Sequence, residues 1–151
     1  MFRGQFVHSI DAKGRVSLPA RFRDTVMADR GGQLILTPAP FDPCLHLYPL
    51  ATWEQFEQKI SELSTLDPNI VRFRRLYVSA AIECELDRAG RVLVPPHLRE
   101  KAELTKDKDV VWAGMGRLIE VWSKARWDAE LGMSPEQQQA FKKAVMEQVR
   151  I

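Results

Sequence analysis

At 151 residues, 45% hydrophobic and 28% charged, the chain has the make-up of an ordinary folded protein with room for one good core or two half-sized ones, which sets extensive disorder aside. No run approaches the roughly 18 apolar residues of a membrane span, and the start, Met1-Phe2-Arg3-Gly4-Gln5, has no apolar stretch followed by small residues, so a cytoplasmic protein is expected. The net charge of +2 is too small to argue for nucleic acid, but residues 1–30 hold six basic groups (Arg3, Lys13, Arg15, Arg21, Arg23, Arg30) against three acidic ones.

In chain order, Gln5 to Ile10 and Arg15 to Leu18 read as short strands around Asp11-Ala12-Lys13-Gly14, a turn signal in which Gly14 takes positive φ without steric cost, so a hairpin is expected. Pro19 cannot donate to a continuing ladder, yet its fixed φ suits the start of a helix, predicted over Ala20 to Ala28. Leu34-Ile35-Leu36 suits a buried strand, and Leu45, Leu47 and Tyr48 fall on another. Leu50, Trp53, Phe56, Ile60 and Leu63 recur at helical spacing up to Asp67-Pro68, and a further helix over 69–77 carries Arg72, Arg74 and Arg75 onward. After Gly132-Met133, Ser134-Pro135-Glu136 reads as an N-cap, a first-turn proline and an acidic first turn, with Phe141, Val145 and Val149 four apart behind them.

The segment in between repeats what came before. Asp11-Ala-Lys-Gly-Arg-Val-Ser-Leu-Pro-Ala-Arg-Phe-Arg23 aligns with Asp87-Arg-Ala-Gly-Arg-Val-Leu-Val-Pro-Pro-His-Leu-Arg99 at an offset of 76. Leu34-Ile35-Leu36 matches Val110-Val111-Trp112 at that offset, and Leu45, Leu47, Tyr48 and Trp53 match Ile119, Val121, Trp122 and Trp127 at an offset of 74. The expected organisation is a first repeat over 5–52, a helical bridge over 53–80, a second repeat over 81–124 and C-terminal helices over 125–151, an α+β architecture.

The repeated residues have physical roles. Asp11 and Asp87 accept backbone N–H groups and close their turns, Gly14 and Gly90 supply the backbone angle, and Pro19 and Pro95 end the strand. Alternation sends Val16 and Leu18 to one face and Arg15 and Ser17 to the other, so the open side carries a guanidinium. Arg21 and Arg23 lie within one helical turn of the proline. Fixed positive groups of this kind position phosphates and read guanine edges, whereas arginines merely paired with the turn aspartates would be structural.

The opening Met1-Phe2-Arg3-Gly4, the two Asp-x-x-Gly-Arg-Val-x-x-Pro-x-x-x-Arg segments, and Leu47-Tyr48-Pro49 followed by Trp53 resemble the MraZ family of bacterial regulators, encoded at the head of the division and cell-wall cluster. Each repeat is similar to the DNA-binding domain of the AbrB and SpoVT regulators. The resemblance implies an AbrB-like, double-split swapped-hairpin β-barrel built by both repeats of one chain, with peripheral helices, and assembly of chains into a ring. It also implies a nucleoid-associated protein that binds short direct repeats of double-stranded DNA upstream of its own operon. Lys13, Arg15 and Arg23, with Arg91 and Arg99 in the second copy, are the basic residues that match, and Arg3 and Arg21 join them from the basic N-terminal segment. Residues 83–103 hold four basic and five acidic groups, which opposes phosphate approach, so DNA contact is assigned mainly to the first copy.

Other chemistries are thinly supported. Cys44 and His46 point the same way on a strand, but no second Cys/His pair completes a tetrahedral set, so a packed cysteine is expected and no metal or cofactor. Nucleophile elbow, phosphate loop and zinc-protease helix are all missing, so neither an enzyme nor a small-molecule substrate is expected. The competing reading is an oligomeric protein-interaction scaffold or an antitoxin-like module.

Overall fold

A computed structural model describes residues 1–105 and 109–150. Lys106–Lys108, within the second repeat, and Ile151, the last residue of the C-terminal segment, lie outside the described residues. The first repeat contributes β1 (Gln5–Ser9), β2 (Arg15–Ser17), α1 (Ala20–Met27), β3 (Gln33–Pro38) and β4 (Leu45–Pro49). Next come α2 (Leu50–Ser61) and α3 (Pro68–Phe73), the latter continued by a π-type turn over Arg74–Val78. The second repeat contributes β5 (Ile82–Glu85), β6 (Arg91–Leu93), α4 (Pro96–Lys101), β7 (Asp109–Gly114) and β8 (Ile119–Ser123), followed by α5 (Lys124–Leu131) and α6 (Pro135–Gln148).

The strands form a six-stranded antiparallel sheet in the order β1-β7-β8-β4-β3-β5 and a separate two-stranded ribbon, β2-β6. The expected hairpin does not form a ladder, since β1 pairs with β7 and β2 with β6, and among the described residues only the bridge Ile10↔Val16 joins the strands across the Asp11 turn. In the other direction β5 pairs with β3. Every strand that flanks a repeated turn therefore finds its ladder in the other repeat. The expected closed barrel is absent among the described residues, because β1 and β5 remain as the edges of an open sheet.

Pairing is symmetric under exchange of the repeats. Phe6↔Trp112 corresponds to Ile82↔Leu36, while Val16↔Val92 and His46↔Glu120 are pairs of equivalent positions facing each other on the pseudo-two-fold axis. Alternation puts Leu34, Leu36, Leu45, Leu47, Val110, Trp112, Ile119 and Val121 on one sheet face. There they meet Val16, Leu18, Phe22 and Val26 from the first repeat and Val92, Val94 and Leu98 from the second in a single core. Each such fully buried side chain contributes about 1.5–3 kcal/mol, so both repeats supply terms comparable with the net stability of a domain.

The opposite sheet face is covered in two patches. Ile35, Tyr48, Trp53 and Tyr77 form an aromatic cluster under α2 and the π-type turn, and Cys44, Val111 and Trp122 form another with Trp127 of α5 packed against it. In the π-type turn Ser79 N–H donates to the Arg74 carbonyl, and Tyr77 is buried. Helix α2 stops at Ser61, earlier than its apolar spacing predicts, and Leu63 and Leu66 are exposed. Pro19 and Pro95 are the N-cap residues of α1 and α4, just before the first helical position. Helix α6 has a complete Ser134/Gln137 capping box but buries no residue, leaving Phe141 and Met146 exposed. No described helix is long and apolar enough to cross a membrane.

Candidate nucleic-acid interface

The two repeated turns are built alike. Asp11 Oδ1 accepts from the N–H groups of Lys13 (3.0 Å) and Arg15 (2.8 Å), its Oδ2 pairs with Arg15 Nε at 2.7 Å, and Gly14 N–H donates to the Asp11 carbonyl at 3.0 Å. Asp87 does the same with Ala89 and Arg91, at 2.9 Å to each N–H and 2.8 Å to Arg91 Nε. Both carboxyls are held below the usual carboxylate range, first by the backbone N–H of the motif arginine and then by its side chain. A depressed native pKa gives stability that is complete above the unfolded value of about 4 and lost as pH falls through the lower native value. Asp11→Asn/Asp87→Asn should therefore be less stable than the parent at neutral pH, and the gap in urea midpoint should close on acidification below about pH 4. A gap that stays constant across that range would remove the charge from the account.

The turns are locked onto each other's repeat. Leu18 N–H donates to the Gly90 carbonyl at 3.0 Å, and Val94 N–H donates to the Gly14 carbonyl at 2.8 Å. A Cβ on Gly90 would lie 2.8 Å from Arg23 Nε, and one on Gly14 would lie 2.8 Å from Arg99 Nε, so each arginine fills the space beneath the opposite turn. Arg23 Nε also donates to the Leu18 carbonyl at 2.8 Å, while Arg99 Nε is buried without a partner among the described residues. Arg23 and Arg99, expected to face DNA, are half-buried, each with its Nε beneath the glycine of the opposite turn. The repeated nine-residue spacing from glycine to arginine was the sequence signal for this contact.

The ribbon has an apolar and a charged side. Val16 and Val92 face the core, and Arg15, Ser17, Arg91 and Leu93 face away from it, with Arg15 opposite Leu93 and Ser17 opposite Arg91. Arg15 keeps 34% of its side-chain surface exposed and Arg91 33%; each uses Nε on its aspartate, and neither has a hydrogen bond from its terminal nitrogens among the described residues. Lys13 is exposed on the first turn and Arg21 on α1, and in the second turn exposed Arg88 stands one position ahead of the lysine's equivalent, Ala89. Arg3 is not brought to this surface by chain direction: it sits beyond the other end of β1, where Phe2 bridges Gly116.

A separate polar seam crosses the opposite sheet face between the aromatic patches. His46 Nδ1 lies 2.6 Å from Tyr77 Oη, which is also 2.6 Å from Tyr48 Oη. His46 Nε2 is 3.5 Å from Glu120 Oε2, and Trp122 Nε1–H donates to Glu120 Oε1 at 3.0 Å. Hydrogen bonding to His46, and then to Trp122, lowers the Glu120 carboxyl; burial pushes the Tyr77 hydroxyl and the Cys44 thiol up. Only the Cys44 and His46 end of this seam was visible in the sequence.

The comparisons agree on the family. A family model described as "MraZ protein, putative antitoxin-like" matches residues 1–76 and 78–146. Relatives named "Transcriptional regulator MraZ" include those of Azotobacter vinelandii, 46% identical over 85% of this chain and 84% of the relative, and of Thiobacillus denitrificans, 42% identical over 89% and 88%. The relative of the same name from Klebsiella pneumoniae is 44% identical over 84% of this chain and 82% of its own. These are names of regulators, not of enzymes. With two copies of the motif and a match over nearly its whole length, the chain belongs to the MraZ family.

Proposed function

We propose that the protein is a transcriptional regulator that binds double-stranded DNA sequence-specifically, at short direct repeats upstream of its own cell-division and cell-wall operon. The observation that carries this reading is the outward face of the β2-β6 ribbon, with Arg15 and Arg91 held by their turns and Lys13 exposed beside them. A major groove about 12 Å wide admits a two-stranded ribbon. Gly14 and Gly90 lie roughly four residues apart along this one, about 13 Å at strand rise. In this reading Arg15 and Arg91 reach base edges or phosphates through their terminal nitrogens, Lys13 and Arg21 contact phosphates, and Arg23 and Arg99 fix the turns. Arg3 is left outside the contact set because of its place at the far end of β1.

The repeats over 5–52 and 81–124 act as one interleaved unit of swapped-hairpin type, with 53–80 as bridge and 125–151 as C-terminal helices. The first repeat carries the main DNA face. Several chains assemble as a homo-oligomeric ring on the nucleoid, so that avidity raises the affinity of a weakly charged protomer. The exposed apolar side chains of α6 favour a second reading, a protein-interaction scaffold or antitoxin-like module.

Lys13→Ala/Arg15→Ala should weaken binding to operator DNA by about 5- to 150-fold, from 1–3 kcal/mol per base contact, and flatten the salt dependence. Gel shift or anisotropy against the parent measures it, with urea unfolding to show that the variant is folded. Unchanged DNA affinity in a folded double variant, together with a salt-insensitive protein complex, would favour the scaffold.

A further inference from the structure

Cys44 and His46 lie two residues apart on the same face, and Glu120 faces His46 directly across the β4-β8 ladder. Cys44 Sγ, an imidazole nitrogen and a Glu120 carboxylate oxygen all lie within 4.8 Å of one another. Bonds of about 2.0–2.3 Å in tetrahedral array place neighbouring zinc donors about 3.3–3.8 Å apart. The His46 Nε2 to Glu120 Oε2 separation of 3.5 Å is already in that range.

We infer that Cys44, His46 and Glu120 form a binding site for a divalent transition metal of the zinc type. The donor set is one sulfur, one nitrogen and one oxygen, which suits zinc or cobalt and not calcium or magnesium, whose ligands are oxygens. The surrounding residues orient two of the three donors. A metal would displace any proton on His46 Nε2, while Nδ1–H donating to Tyr77 Oη would hold the ring with the Nε2 lone pair toward the site. Trp122 holds Glu120 Oε1 and leaves Oε2 toward the imidazole. Carboxylates of Glu120, Asp42 and Glu130 act on Cys44, a negative field that opposes an isolated thiolate and attracts a cation. The side chains of His46 and Glu120 are each 14% exposed, so the site is shielded but not sealed, with room in the coordination sphere for a solvent ligand. The pseudo-symmetric position of Cys44 in the second repeat is Leu118, so the pseudo-two-fold does not repeat the sulfur donor.

The test uses the full-length protein, stripped with a chelator and titrated with Co²⁺. One equivalent should bind with a thiolate-to-cobalt charge-transfer absorption and the visible bands of four-coordinate cobalt, and Zn²⁺ should displace it. Cys44→Ser should abolish the thiolate absorption, Cys84→Ser should keep it, and Glu120→Gln, which retains the shape and the Trp122 contact, should lower cobalt affinity roughly 10-fold or more. Zn²⁺ should raise the Tm of the parent and not that of Cys44→Ser. The absence of a thiolate band in the parent, its survival in Cys44→Ser, or an unchanged affinity in Glu120→Gln would each overturn the assignment.

Discussion

Expressed as separate pieces, residues 1–66 and 67–151 should each lack a cooperative urea transition as monomers. Among the described residues β1 has its ladder only with β7, β5 only with β3, and β2 only with β6, so a cut in the bridge strips each piece of partners for its edge and ribbon strands. The core is divided in the same way: Val16, Leu18, Phe22 and Val26 on one side meet Val92, Val94 and Leu98 on the other. Re-exposing even four of these costs about 6–12 kcal/mol at 1.5–3 kcal/mol each, against a net domain stability of about 5–15 kcal/mol. A unit of some 60 residues also buries only about 60% of its chain surface, which leaves little margin. Mixing the pieces should restore one transition, followed by fluorescence of Trp112 and Trp53 together. Cooperative unfolding of either monomeric piece alone would show that the repeats are self-sufficient.

Gly14→Ala should be among the most damaging single changes and Gly90→Ala a milder one, although the two glycines are equivalent in sequence. Gly14 has φ +88 and Gly90 φ +76, so both alanines incur backbone strain of about 1–3 kcal/mol. What the new methyl meets differs. On Gly14 it would stand 2.6 Å from the carbonyl oxygen of Val94, the residue whose N–H ties the first turn to the end of β6, whereas on Gly90 the nearest atoms belong to the Arg23 side chain. Adding the weakened Val94 bond puts Gly14→Ala at about 1.5–4.5 kcal/mol against about 1–3 kcal/mol for Gly90→Ala. Urea midpoints at unchanged m-value measure the difference, and equal losses would mean that strain alone matters. Gly14→Ala should also weaken DNA binding, because Lys13 and Arg15 leave from the same turn.

Local residues that force the backbone made much of this legible in the sequence. Asp11, Gly14 and Pro19 act within a few positions of themselves, so turn, strand end and helix start follow from residue chemistry, and a second copy at a fixed offset doubles the signal. Alternation likewise gave the face of Val16 and Arg15. It does not name a ladder partner. The pairing of Phe6 with Trp112 spans more than a hundred residues, and nothing in a period of two distinguishes β2 from β7 as the neighbour of β1. The interleaving came from family resemblance, and the open sheet still differs from the barrel which that resemblance implies. The seating of Arg23 and Arg99 was not legible, because the glycine that each guanidinium packs beneath belongs to the other repeat. The seam at His46 was hidden because its partners Tyr77 and Glu120 arrive from the bridge and the other repeat.

The crossed seating of Arg23 under Gly90 and Arg99 under Gly14 constrains how such a chain drifts. A loop of one half and the side chain that props it are inherited from opposite halves, so a lengthened or reshaped loop demands a matching change in the other repeat, far away along the chain. Chimaeras between relatives should accordingly tolerate exchange of Asp11–Gly14 together with Arg99, or of Asp87–Gly90 together with Arg23. Transplanting one half intact, for all its apparent modularity, would mismatch both props at once.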